Sequence, residues 1–314
     1  MNAFQFHLPT RILFGSDTIA QTGEAVKAAG GSQVLVLYGT GSVQRNGVLD
    51  KVLAALDGQK IPYCVEGGIQ PNPRLAKAQA LADAYAGKGI DFLLGVGGAS
   101  VLDTCKAVAI GLACGGSIWD YFCKVRPITG ALPVGSVLTI AAAGSETSDS
   151  AVLTDEATDS KRGCNTPFNR PAFAILDPTL TYTLPAYQTA CGAADMMLHT
   201  MERYFGVNAG ANEITDGIAE ALLRTVISNA PKALKQPDNY QARSELMWCG
   251  SLSHNDLTGL GRGKDLSGHP LGHTGRAVFD LAHGASPTAM LGPRGRDGCP
   301  DDPARVVPLG GTAL

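Results

Sequence analysis

Leu93-Leu94-Gly95-Val96-Gly97-Gly98-Ala99-Ser100-Val101-Leu102-Asp103 is the stretch on which the fold turns. It opens as an apolar strand, turns on glycines and continues as the start of an amphipathic helix. Glycine lets a backbone approach a ligand closely. The unpaired N–H groups and the dipole at a helix N-terminus favour an anion such as phosphate. Ser100 is placed to cap that helix or to donate to an oxygen. The pattern departs from GxGxxG, so a plain strand–helix turn is the competing reading.

The same alternation extends outward. Short apolar or β-branched runs occupy residues 11–14, 33–37, 92–95, 134–139 and 173–176, with helical patterns at 17–29, 75–87 and 100–114. Near-continuous apolar strands separated by helices predict a parallel sheet covered on both faces. This α/β domain spans residues 1–183. After Leu184-Pro185 the strand signals stop, and helical patterns follow at 188–205, 214–234, 243–252 and 266–279. They predict an all-helical domain over residues 184–286. Residues 287–314 hold five Pro and five Gly, a density that reads as a disordered or non-native tail.

Two more small-residue clusters follow strands. Tyr38-Gly39-Thr40-Gly41-Ser42 carries no carboxylate, and the nearest downstream acid is Asp50. A dinucleotide site usually places a carboxylate near this strand end, on the ribose 2′-hydroxyl. Glycine and a small hydroxyl leave room for a 2′-phosphate instead, which favours NADP(H) over NAD(H). Thr139-Ile140-Ala141-Ala142-Ala143-Gly144-Ser145-Glu146 is the other cluster.

The histidines are few: His7, His199, His254, His269, His273 and His283. Asp195 and His199 stand four apart on the helix expected at 188–205, so they share a face. One carboxylate and one imidazole make half a site for a divalent metal. With His269 and His283 the set becomes three imidazoles and one carboxylate. Imidazole and carboxylate suit Fe(II) and Zn(II) alike. The competing reading is a set of surface histidines on a polar helix face.

Composition removes other classes. The chain of 314 residues has 25 Lys+Arg against 28 Asp+Glu, a net charge of −3, so no basic surface is available for nucleic acid. No run of 18 apolar residues occurs, and the N-terminus lacks a basic segment followed by an apolar one. Eight scattered cysteines form no CxxC pair, which reads as free thiols in a reducing compartment. A cytoplasmic protein without membrane contact is expected.

At this point the chain resembles the iron-containing (group III) alcohol dehydrogenases, in particular the NADPH-dependent aldehyde reductase and butanol dehydrogenase branch. The likeness runs from Phe6 to about Ser286. It rests on Pro9-Thr10-Arg11-Ile12-Leu13-Phe14-Gly15, Pro71-Asn72-Pro73, Gly97-Gly98-Ala99-Ser100-Val101-Leu102-Asp103 and Gly144-Ser145-Glu146. It continues through Leu176-Asp177-Pro178, Tyr182-Thr183-Leu184-Pro185, Met247-Trp248-Cys249 and His283-Gly284-Ala285-Ser286.

The resemblance implies a Rossmann-like domain joined to a helical one, as in the dehydroquinate synthase-like fold. It implies hydride transfer between NADP(H) and a small aldehyde or primary alcohol. It places one divalent metal, Fe(II) or Zn(II), on Asp195, His199, His269 and His283. It puts the phosphate loop at Gly97, Gly98 and Ser100, with Asp103 and Asn72 in cofactor-side motifs. Lys106, Thr139 and Tyr182 fall near the nicotinamide ribose. Gly39, Gly41 and Ser42 fall at the NADP-preferring strand end. His273 falls beside the metal, for proton relay or cofactor contact. A homodimer is the expected assembly.

Three departures from the pattern stand out. Ala141-Ala142-Ala143 replaces the usual Pro-Ala-Thr, and Asp265-Leu266 replaces an Asp-Trp stretch. The family's helical domain continues well past the last ligand, whereas here the likeness dissolves near Pro287, as an altered reading frame would produce. The helical domain is therefore expected to be incomplete. An inactive truncated remnant is one alternative. A lyase of the dehydroquinate synthase type is another, although that family uses Glu where this chain has Asp195.

Overall fold

The computed structural model describes residues 1–206 and 212–263. In chain order the elements are β1 (Arg11–Phe14), α1 (Thr22–Ala28), β2 (Val34–Tyr38), α2 (Ser42–Arg45), α3 (Val48–Gly58) and β3 (Tyr63–Glu66). They continue with α4 (Leu75–Tyr85), β4 (Phe92–Gly97), α5 (Ala99–Cys114), α6 (Ile118–Phe122), β5 (Val134–Leu138), β6 (Ser150–Asp155), β7 (Ser160–Asn165) and β8 (Phe173–Leu176). Three helices follow: α7 (Ala186–Tyr204), α8 (Glu213–Lys235) and α9 (Tyr240–Ser253). No helix among the described residues is long and apolar enough to cross a membrane.

The chain divides into two compact units. One comprises Leu8–Ile140 and Ser145–Thr181; the other takes Met1–His7, Ala141–Gly144 and the chain from Tyr182 onward. The first is a Rossmann-like α/β unit and the second is helical, which is the architecture the sequence predicts.

In the α/β unit the sheet order is β1-β8-β5-β4-β2-β3, and every pairing is parallel. Alternate residues of each strand point to opposite faces. Val34, Val36, Leu94 and Val96 join Val26, Val52 and Leu56 of α1 and α3 in one core. Leu35, Leu37 and Leu93 join Ala78, Leu81, Cys105 and Val108 of α4 and α5 in another. Both faces of the inner strands β2, β4, β5 and β8 are dry, which is why those strands read as nearly unbroken apolar runs.

Several elements differ from the sequence reading. The helix expected at 17–29 is broken: Thr18–Gln21 is a 3-10 turn and α1 begins at Thr22. The break follows Asp17, whose left-handed backbone (φ 61°) is held by its N–H donating to Asp177 Oδ2 at 2.8 Å. β3, α3 and the antiparallel β6–β7 hairpin (Ser150↔Asn165 to Asp155↔Ser160) are additional. β7, Ser-Lys-Arg-Gly-Cys-Asn, buries only Cys164, so it shows no apolar period to read.

In the helical unit, Ala193 and Met196 of α7, Leu222 and Val226 of α8, and Ala242, Leu246 and Cys249 of α9 form the core. Their three- and four-residue spacing is that of helices packed along one face. The helix expected at 266–279 and the tail at 287–314 lie outside the described residues.

Candidate active site

Sheet topology locates a candidate cofactor site in the α/β unit. From β2 the chain leaves towards β3 on one side, and β4 then returns on the other side of β2 before the sheet extends to β5. The strand order therefore reverses between β2 and β4. In open parallel sheets, ligands bind beyond the carboxyl ends of the strands at such a reversal. The glycine turns lie at this place: Gly39 to Ser42 follow β2, and Gly97 to Ser100 end β4 and open α5. The register Tyr38↔Val96 and Gly97↔Leu138 sets the ends of β2, β4 and β5 side by side. Thr139, next after β5, donates its N–H to Gly97 O at 3.1 Å.

The glycines are needed for close packing. A Cβ on Gly97 would lie 2.7 Å from Val101 Cγ2, and one on Gly98 3.0 Å from Ile140 Cδ1. Gly41 has φ +107° and precedes α2, whose first residue is Ser42. Ser100 is not a cap, because α5 starts at Ala99 with Gly98 before it and no side-chain cap bond. Its carbonyl accepts from Thr104 Oγ1 at 2.9 Å.

Asn72 sits in a left-handed turn (φ 55°) between two prolines and accepts from Lys161 Nζ at 2.7 Å. Thr154 N donates to Pro73 O at 2.9 Å, so this turn is docked on the β6–β7 hairpin. Lys161 drew no attention in the sequence, because nothing local links it to a residue 89 positions away.

At Lys106, where the resemblance implies a ribose contact, the structure shows the ammonium hydrogen-bonded within the chain. Lys106 is wholly buried, and Nζ donates to Ser145 O (2.7 Å), Ser145 Oγ (2.9 Å), Ser148 O (3.2 Å) and Ser150 O (2.7 Å). Ser145 Oγ in turn donates to Asp103 Oδ1 at 2.8 Å, and Val152 N donates to Asp103 Oδ2 at 3.1 Å. Asp103 and Lys106 thus tie α5 to the segment leading into β6. Burial pushes the Asp103 carboxyl up, against the pull of Lys106, Ser145 and Val152. Burial pulls the Lys106 ammonium down to about 8, although Asp103, Glu146 and Asp149 favour its charge.

In the helical unit, Asp195 and His199 lie one turn apart on α7 and are 1% and 2% exposed. They are not on a polar surface. A buried carboxylate beside a buried imidazole calls for an ion pair, hydrogen bonds or a metal. This donor pair fits a divalent cation of the Fe(II) or Zn(II) kind. Among the described residues no group of three or more His, Cys, Asp or Glu forms a metal site. His269, His273 and His283 lie outside the described residues. Tyr182 opens the long segment of this unit and lies near the Arg243 guanidinium.

One neighbour was not singled out in the sequence. The ring of His254, just past α9, lies against that of His199 with centroids 4.2 Å apart. Arg203, a further turn along α7, holds both: Nη1 donates to His199 O at 2.8 Å, and Nη2 bonds His254 Nδ1 at 3.0 Å.

Glycine turns at the reversal of a doubly wound parallel sheet mark a nucleotide-dependent enzyme, here carrying a helical unit with a buried Asp–His pair. Comparison with known proteins agrees. Residues 9–178 match the family described as iron-containing alcohol dehydrogenase, and residues 189–294 match the C-terminal part of the Fe-containing alcohol dehydrogenase family. The second match runs somewhat past Ser286. NADH-dependent butanol dehydrogenase A of Clostridium acetobutylicum is 40% identical over 293 residues, covering 93% of this chain and 75% of that one. NADPH-dependent aldehyde reductase YqhD of Escherichia coli is 40% identical over 294 residues, again 93% and 75%. The crystal structure of NADH-dependent butanol dehydrogenase A from Thermotoga maritima superposes with a TM-score of 0.89 at 39% identity, covering 91% of this chain and 72% of that one. The chain belongs to the iron-containing alcohol dehydrogenase family, and it is an oxidoreductase of the alcohol dehydrogenase and aldehyde reductase kind.

Proposed function

We propose that the chain reduces small aldehydes to primary alcohols with NADP(H), using one divalent ion, Fe(II) or Zn(II), held by Asp195, His199, His269 and His283. The observation that carries this reading is the burial of Asp195 and His199 on one face of α7. The preference for NADP(H) is supported by the absence of a carboxylate among Gly39, Gly41 and Ser42 at the end of β2. The relatives' names include both NADH- and NADPH-dependent enzymes.

The turns at Gly39–Ser42 and Gly97–Ser100 take the adenosine and pyrophosphate ends of the dinucleotide. Asn72 and Asp103 support that cradle, and Lys106 anchors the backbone behind it. Thr139 and Tyr182 serve the nicotinamide ribose. When bound, the metal supplies Lewis acidity to the substrate oxygen and the nicotinamide supplies hydride. The balance is NADPH + H⁺ + aldehyde → NADP⁺ + alcohol, with hydride to carbon and a proton to oxygen. His273 relays that proton. The protein acts as a homodimer in the cytoplasm.

The test is NADPH oxidation with butanal, read at 340 nm before and after chelation, on the parent and on Asp195→Ala. The expected result is activity that chelation removes, that added metal restores and that the variant lacks. Folded parent protein whose activity ignores the chelator would overturn the reading.

A further inference from the structure

We propose that His254 is a positioning residue for the metal, setting the orientation of the His199 ring. The inference rests on the metal reading above and adds to it a residue outside the expected ligand set.

The argument begins with α7. Asp195, His199 and Arg203 follow one another at four-residue intervals, so their side chains lie along one stripe. Arg203 is 3% exposed, and its Nη1 is spent on the carbonyl of His199 at 2.8 Å. That bond fixes the guanidinium relative to the helix. Its Nη2 then reaches His254 Nδ1 at 3.0 Å. A guanidinium has donors only, so His254 Nδ1 is the acceptor and the ring proton sits on Nε2. Tautomer and ring orientation of His254 are both set by this contact.

The base of His254 is fixed as well. Gly144 has φ +68°, and a Cβ there would lie 3.0 Å from His254 Cβ and 2.6 Å from Gly250 O. The segment Ala141–Gly144 therefore closes against the residue from behind. Held at both ends, the His254 ring lies 4.2 Å from that of His199, centroid to centroid, tilted by 45°. An imidazole ligand must present one nitrogen along the metal bond, and its remaining freedom is rotation about the Cα–Cβ and Cβ–Cγ bonds. A neighbouring ring packed against it at this distance restricts that rotation. Outer partners that orient metal ligands in this way commonly matter about 10–100-fold in metal affinity.

The test uses the full chain, stripped of metal and titrated with Co²⁺ against a competing chelator, with the visible Co²⁺ spectrum as second readout. His254→Ala is expected to lose affinity about tenfold or more and to change the spectrum. His254→Gln, polar but without a ring, should do the same and decides the matter if the alanine variant does not fold. His254→Phe keeps a ring beside His199 but cannot accept from Arg203, so it should recover part of the lost affinity and bind more tightly than the Ala and Gln variants. Ala and Gln variants that bind Co²⁺ like the parent, with the parent spectrum, would overturn the proposal. So would a Phe variant as weak as they are. A parent that binds no Co²⁺ sinks the metal reading and this inference together, whereas indifferent variants of a binding parent sink this inference alone.

Discussion

Lys106→Met keeps the length and most of the volume of the side chain and removes only the ammonium. In the parent, that group donates towards four oxygens, of Ser145, Ser148 and Ser150, at 2.7–3.2 Å. Residues 145–149 form no regular strand or helix, so these oxygens have no ladder of their own to fall back on. The substitution also takes from the buried Asp103 carboxyl the stronger of its two cationic neighbours, leaving Lys161. Breaking a buried charged contact from one side costs about 3–5 kcal/mol. For a unit of this size each kcal/mol moves the melting point by about 2–4 °C, so a drop of roughly 6–20 °C is expected.

Titration gives a second signature. The Lys106 pKa is lowered from 10.5 to about 8, chiefly by burial. Between those values the unfolded chain binds more protons than the folded one, so this group's contribution to stability rises with pH across that window. The rise amounts to about 3 kcal/mol, and below about pH 8 the contribution is flat. Thermal unfolding of parent and variant, followed by circular dichroism from pH 7 to 10.5, checks both points. The gap between them should be large at pH 7 and widen above pH 8. A methionine variant melting within about 2 °C of the parent, with a parallel pH profile, would refute the account of this network.

Four further outcomes follow from the geometry. Gly97→Ala puts a Cβ 2.7 Å from Val101 Cγ2 and must push the first turn of α5 away; it should cost about 1–3 kcal/mol and weaken NADPH binding about tenfold by fluorescence titration. Gly98→Ala meets Ile140 at Cδ1 (3.0 Å), Cγ1 (3.3 Å) and Cβ (3.4 Å), with no approach as close as the 2.7 Å at Gly97, and should destabilise less. Gly39→Asp has room, since its Cβ would approach nothing nearer than Ile69 O at 3.5 Å. The new carboxylate can accept from a ribose hydroxyl and repels a 2′-phosphate, so kcat/KM for NADH over NADPH should rise about 10–100-fold. Gly192→Ala drives a Cβ into the carbonyl of Ala141; a loss of about 1–3 kcal/mol in stability, with reduced metal content by elemental analysis, is expected.

What the sequence revealed and what it hid separate by range. The strands at 11–14 and 173–176 match β1 and β8; β8 is buried along its whole length, whereas β1 buries only Leu13 and is legible from its Ile-Leu-Phe run. Asp195 and His199 were legible because four residues make one helical turn. β3 and β7 were not, because β3 buries no residue and β7 only Cys164, so neither has a buried face to write a pattern. The burial of Lys106 had a local signal that went unused: Leu102 and Ile110, four residues to either side on α5, are both wholly buried. A lysine between them on the same stripe belongs to the core face. His254 had no such signal. Only the packing of α9 along α7 brings it to His199, across 55 residues of chain, and no spacing rule reaches that far.

The same packing bears on the departure at Ala141-Ala142-Ala143, where the resemblance implies Pro-Ala-Thr. The segment meets the helices through backbone atoms. A Cβ on Gly192 would overlap Ala141 O, one on Gly250 would lie 3.5 Å from both Ala142 N and Ala142 O, and one on Gly144 would lie 2.6 Å from Gly250 O. Contacts at 141, 142 and 144 are thus independent of the missing threonine hydroxyl; they require small residues on α7 and α9 instead. Gly192 stands one turn before Asp195, and Gly250 one turn before His254. The two helices are therefore clamped to the segment immediately next to the residues that bear the buried donor pair and its neighbouring ring. A shift of the segment would be felt first at Asp195 and His254, so small side chains here preserve the geometry that the lost hydroxyl does not supply.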